Sequence, residues 1–188
     1  SQSNRTEYIR IFREPVPGMF YALGGDPSDG DGDPAAIAIW DEDYNKCAEW
    51  SGRLRPDKLA ELAKEMAEYY NDAFVGIENN MLSTILFLSK IYNNYFFTVK
   101  VDEKRQTRTK KMGWTTSGKS RDIMIDDFIM HFEEETLQGL SKLTLAQMQT
   151  FVTKEGGKRE HATGKNDDML FADMIAIQMI KYKGKSKA

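Results

Sequence analysis

Residues 19–41 read MFYALGGDPSDGDGDPAAIAIWD. Met19–Gly24 is a short apolar run that stops at Gly24-Gly25, the pattern of a strand ending in a tight turn. Asp26–Pro34 is a loop dense in residues that break regular structure. Ala35–Trp40 is a second apolar run and Lys46–Ser51 (KCAEWS) a third, so the chain opens as a β-meander. The pattern then changes. Over Pro56–Tyr70, Leu59, Leu62, Ala63, Met66 and Tyr70 recur at helical spacing, with Asp57 in the first turn where the helix dipole favours a carboxylate. Ala73–Ile77 reads as a buried strand running into Glu78, and Met81–Ile91 as a helix with Leu82, Ile85, Leu86 and Leu88 inward. Tyr95–Val101, aromatic and β-branched, reads as a further strand. Helices are expected around 119–137 and 144–152, then a polar loop over 154–166. Asp167–Ile180 is apolar on most of its circumference and reads as a buried helix. Strands alternating with helices define an α/β domain whose central mixed sheet, an antiparallel meander followed by parallel strands, is flanked by helices. Residues 18–182 are assigned to it, 1–17 to an N-terminal extension and 183–188 to a Lys-rich tail.

The 188 residues suffice for one sizeable core and not for two catalytic domains. The single Cys47 forbids an internal disulfide or a Cys-cluster metal site, and two distant histidines argue against a His-based zinc site. A reducing compartment follows. No apolar run reaches the ~18–20 residues that span a bilayer, and Ser1–Arg5 lacks a signal peptide's apolar stretch, so no membrane association is expected. The start at Ser1, followed by a polar segment, reads as a piece of a longer protein. A net charge of −3, from 26 basic and 29 acidic residues, excludes a uniformly basic nucleic-acid binder.

Three acidic positions share one context: each stands beside a core element. Asp26 follows the first apolar run, Glu78 ends Ala73–Ile77, and Asp167-Asp168 opens the last helix. Converging carboxylates repel and raise one another's pKa, a cost that a divalent cation removes. Hard cations such as Mg²⁺ or Mn²⁺ take such oxygen ligands, and two of them would serve phosphodiester hydrolysis. Each residue also has an ordinary reading. Asp26 before Pro27 suits a turn, and Asp167 and Asp168 suit a helix N-cap and first-turn charge. Glu78, directly after an apolar run, is harder to explain as a plain strand end.

The ordered series GGDPSDGDGDPAAIAIWD, VGIENN, GWTTSGKSRDIMIDDF, FVTKEGG and GKNDDMLFADMIAIQM resembles the C-terminal nuclease domain of the large terminase subunit of tailed bacteriophages, over roughly Phe20 to Ile180. That resemblance implies an RNase H-like fold, two Mg²⁺ or Mn²⁺ ions, and cleavage of concatemeric double-stranded DNA during packaging. It implies Asp26, Glu78, Asp168 and Asp167 as metal-holding catalytic residues, with Asp168 favoured over Asp167 as the closer one. Asp33 falls where a further family aspartate often occurs. An N-terminal ATPase domain, the small terminase subunit and the portal are the implied partners, and the cytoplasm of an infected bacterium the implied location. One departure is Asn166, which stands where the family commonly has His. Other readings are a junction resolvase or recombinase of the same fold, and a noncatalytic module binding DNA or the portal.

Gly113–Ser120 matches the P-loop pattern G-x-x-x-x-G-K-[ST]. The preceding RQTRTKKM is polar and basic rather than strand-like, and the 68 residues after Ser120 offer no set of parallel strands, so an ATPase site is rejected. Asp29–Asp33 begins like an EF-hand loop, but Pro34 occupies the position that needs Gly and Trp40 the one that needs Glu. Lys104, Arg105, Arg108, Lys110, Lys111, Lys119 and Arg121, with Trp114 their sole aromatic, suit a phosphate-backbone clamp on DNA, or else a plain solvated hairpin. Lys154, Lys158 and Arg159 form a second basic patch.

Overall fold

Along Tyr21–Asp26 (β2) and Ala35–Asp41 (β3), large and small residues alternate, and the pleat sends them to opposite faces. Tyr21, Leu23, Ile37 and Ile39 enter one core, whereas Ala22, Ala36 and Ala38 enter the other. In a computed structural model, which describes residues 9–27 and 33–183, these two strands are the centre of a five-stranded sheet. Arg10–Ile11 (β1), Lys46–Gly52 (β4) and Phe74–Ile77 (β5) complete it in the order β1-β4-β3-β2-β5. β2, β3 and β4 form the expected antiparallel meander, and β5 lies parallel to β2. The sheet is thus the expected mixed one, and isolated parallel bridges continue beyond β5, from Val75 to Tyr95 and from Glu78 to Trp114.

On the large-residue face pack Pro56–Tyr69 (α1) and Leu82–Ile91 (α2). α1 matches its expected span to within one residue, and it buries Leu59, Leu62, Ala63 and Met66. α2 is rotated from expectation: Thr84, Ile85 and Leu88 are buried, while Leu82 and Leu86 are 55% and 42% exposed. A helix with apolar residues all round leaves its inward phase unfixed until a neighbour selects it.

The small-residue face receives Asp168–Lys181 (α5), buried from Asp168 through Met179. Gly24 explains the closeness of that contact, because a Cβ there would stand 2.0 Å from the carbonyl oxygen of Ala172. The Gly24-Gly25 pair therefore lies inside β2 rather than ending it, a correction with a steric cause. Gly118–Glu133 (α3) and Lys142–Gln149 (α4) flank α5, each opened by a serine cap, Ser117 and Ser141.

Two small hairpins stand outside the main sheet. Phe97–Asp102 (β6) pairs with Thr107–Met112 (β7), and Phe151–Thr153 (β8) with Arg159–His161 (β9). Both correct the sequence reading: RQTRTKKM does form a strand, and the expected polar loop over 154–166 contains one. Their polar composition follows from their position, since a hairpin off the core has no buried face to declare itself. Among the described residues no helix is long and apolar enough to cross a membrane.

Candidate metal and nucleic-acid site

Because β2 and β5 run parallel, their C-terminal ends finish side by side. Gly25 pairs with Ile77, and the Glu78 N–H donates to the Gly25 carbonyl at 3.0 Å. Asp26 and Glu78, the next residues on each strand, are thereby brought within hydrogen-bonding reach of each other. α5 delivers Asp167 and Asp168 to the same place at its N-terminus. All four carboxylates, with Asp33, Asn80, His161 and Asn166, line one cleft of about 250 Å³. Asp29 and Asp31 lie outside the described residues.

The electrostatics are those of crowded acids. Burial first, then Glu78, then Asp168 and Asp167 hold the Asp26 carboxyl well above the usual range. Burial likewise pushes Asp168 up to about 6, against the opposing hydrogen bond from Gln147. Gln147 of α4 donates to Asp168 Oδ1 at 3.2 Å and accepts the Leu170 N–H at 2.9 Å, so it fixes both the side chain and the first turn of α5. Asp168 Oδ2 is buried without a partner. Asp167 occupies the N-cap of α5 but makes no capping bond. Its Oδ2 instead accepts the His161 N–H at 3.2 Å and lies 3.0 Å from His161 Nδ1. The simple capping explanation for Asp167 therefore fails.

An all-oxygen, mutually repelling set with a buried unpartnered carboxylate oxygen fits a hard divalent cation. Among the described residues, though, no three His, Cys, Asp or Glu groups close tightly enough to form a finished metal cage. Two contributors escaped the sequence reading. Gln147 had no acidic character to attract notice, and His161 stands six residues before Asp167, reaching it only because β9 folds back over the end of α5.

The basic segment divides once its contacts are known. Lys110 Nζ lies over the rings of Phe97 (4.1 Å) and Tyr95 (4.8 Å) and donates to the Tyr95 hydroxyl at 2.9 Å. The Arg121 guanidinium stacks on Phe171 and donates to the Arg159 carbonyl at 2.6 Å. Arg105 faces Asp102 at 3.9 Å. Lys104, Arg108, Lys111 and Lys119 have no carboxylate partner among the described residues. The β6–β7 register places Thr98 beside Lys111 and Lys100 beside Thr109, so Lys100 and Lys111 share one hydroxyl-rich face. Lys100 had not been singled out in the sequence. The second patch is internally neutralised, with Lys154 and Lys158 both on Glu160 and Arg159 on Asp122 and Asp126.

The P-loop match is resolved by the same accounting. β7 does lead through Gly113–Ser117 into α3, but three of the loop's N–H groups are engaged within the fold. Gly113 donates to Phe96, Trp114 to Ile77 and Ser117 to the Ser120 hydroxyl. Gly113, at φ +80°, has no room for a Cβ, which would lie 2.6 Å from the Ile77 carbonyl oxygen. This loop is a splice onto β5 and not a phosphate cradle.

The fold and the cleft define a class, the RNase H-like α/β domain with carboxylates at the ends of two adjacent parallel strands. Within it the chain is similar in fold to large terminase nuclease domains. It superposes on the large terminase nuclease of thermophilic phage G20c with bound magnesium at TM-score 0.75 and 14% identity, covering 91% of this chain and 87% of that one. The Thermus phage P74-26 large terminase nuclease domain gives TM-score 0.69 at 15% identity, covering 94% and 87%. The P22 large terminase nuclease domain gives 0.57 at 14%, covering 92% and 88%. No family model and no curated protein matches the sequence. At these identities the likeness is one of fold.

Proposed function

We propose that this chain is the nuclease domain of a viral genome-packaging terminase, an endonuclease that cleaves double-stranded DNA with two divalent metal ions. The observation that carries the reading is the meeting of Asp26, Glu78 and Asp168 in one cleft of a fold shared with terminase nucleases. Asp26, Glu78 and Asp168 would hold the cations, with Asp167 beside them. The G20c nuclease has structures with bound magnesium, cobalt and zinc, which supports divalent-metal use; Mg²⁺ or Mn²⁺ suits the oxygen-only set here. When bound, such ions lower the pKa of water and stabilise charge on a leaving oxygen. The protein's own part is placement. Strand ends fix Asp26 and Glu78, the N-terminus of α5 presents Asp168, and Gln147 holds Asp168 Oδ1 so that Oδ2 is the free acceptor. The exposed cations of the β6–β7 hairpin and Lys119 would follow the DNA backbone. Hydrogen bonds from Asn79 to the Met112 carbonyl (2.9 Å) and Thr115 hydroxyl (3.0 Å) tie that hairpin to the cleft. The wider terminase, with its ATPase domain, small subunit and portal, would deliver the substrate.

The deciding test is cleavage of supercoiled plasmid by the chain in Mn²⁺. Nicking and linearisation are expected, with loss in Asp26→Asn and in Glu78→Gln. Cleavage confined to branched DNA would point to a resolvase, and undiminished cleavage by the double variant would refute the metal site.

A further inference from the structure

The hairpin β8–β9 is attached to the body of the protein by Phe151 of β8, which packs on Phe171 of α5, and by two side chains from one face of β9. Arg159 and His161 are two residues apart and so point the same way, while Glu160 between them faces out to Lys154 and Lys158. Arg159 Nη1 meets Asp126 at 2.6 Å and Nη2 meets Asp122 at 3.2 Å, clamping β9 to α3. The Arg121 bond to the Arg159 carbonyl is a third tie to the same helix. Further along that face His161 meets Asp167 at the start of α5. Its backbone N–H donates to the oxygen Oδ2 at 3.2 Å, and its ring Nδ1 stands 3.0 Å from the same oxygen without the alignment of a hydrogen bond. Asp167 forgoes the capping bond open to it at the start of α5 and takes this one.

We propose that His161 is a positioning residue: held in place by the Arg159 clamp, it fixes the Asp167 carboxylate by Oδ2 and leaves Oδ1 as the acceptor available to a cation in the cleft. The inference rests on the metal-site reading above. It makes the hairpin an arm through which α3, the helix that follows the basic hairpin, sets the geometry of the cleft.

Mn²⁺ affinity of the full chain, read from the electron paramagnetic resonance of free Mn²⁺ without DNA, tests it. Removing a partner that orients a ligating carboxylate weakens metal binding by about 10- to 100-fold, and His161→Ala is expected in that range. His161→Asn, whose amide nitrogen can take the place of Nδ1 beside Oδ2, is expected to recover most of the loss. Arg159→Gln should weaken binding in the same direction and add little when combined with His161→Ala, since both act through one contact. His161 belongs to neither hydrophobic core, and the surface variant Arg159→Gln supplies an independent arm. Wild-type binding in His161→Ala, or loss in His161→Asn as deep as in His161→Ala, overturns the inference. A wild-type chain that binds no Mn²⁺ overturns the metal reading itself, and the inference with it.

Discussion

Gly24 of β2 lies so close under α5 that a methyl group on it would stand 2.0 Å from the Ala172 carbonyl oxygen and 2.5 Å from the Ala176 nitrogen. Both are backbone atoms of a helix buried along nearly its whole length, so neither can turn aside. Gly24→Ala is therefore expected to push α5, and with it Asp167 and Asp168, away from the sheet. Overpacking of this kind costs about 3 kcal/mol or more, which for a chain of this size lowers Tm by about 6–12 °C. Scanning calorimetry checks it, and a Tm within a degree of wild type would show that α5 is not seated as described.

The crowded carboxylates give the metal-free protein a defined pH dependence. Asp168, raised to about 6 by burial, keeps its proton in the folded chain after the unfolded chain has lost it near pH ~4. Its contribution to stability is complete below pH ~4 and is lost as pH rises through about 6, a difference on the order of 2–3 kcal/mol. Melting curves without metal should fall more steeply across pH 4–6.5 for wild type than for Asp168→Asn, which cannot ionise. Saturating Mn²⁺ should raise Tm at pH 7 in wild type and leave Asp26→Asn unmoved. Parallel pH slopes in wild type and Asp168→Asn would contradict the assignment.

Lys46 supplies a test of the interior away from the cleft. Its ammonium is fully buried, 2.8 Å from Asp173 Oδ1 and 2.6 Å from Glu49 Oε2, and it donates to Thr144 Oγ1 at 2.8 Å. Trp40 adds a bond to Asp173 at 2.9 Å. Lys46→Met would leave Asp173 without a counter-ion in the core, while Glu49 keeps Arg10 at 2.7 Å, a loss of about 3–5 kcal/mol. The double variant Lys46→Met/Asp173→Asn removes that charge and should recover part of it. Urea denaturation distinguishes the cases; a loss below ~1 kcal/mol for Lys46→Met would mean the network is solvated.

How far these features could be read in advance depends on whether the physics was local. The meander, α1 and the buried α5 announce themselves through periodicity, and Asp26, Glu78 and Asp168 through their places at the ends of those elements. What escaped is what only packing creates. Gly24-Gly25 resembles a turn until a helix lies across it, and α2 has no polar stripe to set its phase. His161, Gln147 and the Lys46–Asp173 pair join positions that are 6, 21 and 127 residues apart. The strand β7 hid because both its faces are largely polar, so alternation carries no signal.

That same hairpin separates cations free to meet phosphate from cations that hold the fold. Lys110 is fixed over Phe97 and Tyr95, so Lys110→Ala should loosen the hairpin and lower Tm while changing the salt dependence of DNA binding little. Lys100 and Lys111 share the opposite face. Each phosphate contact contributes about −0.9 to the slope of log K against log salt on duplex DNA. Lys100→Ala/Lys111→Ala should therefore flatten that slope by up to about 1.8, without altering Mn²⁺ affinity, because neither lysine lines the cleft. Fluorescence anisotropy on a duplex from 50 to 200 mM salt, with Ca²⁺ in place of Mn²⁺ to suppress cleavage, reads both effects. An unchanged slope in the double variant would remove this face from the DNA track, and a larger change in Lys110→Ala than in the double variant would reverse the assignment of the two faces.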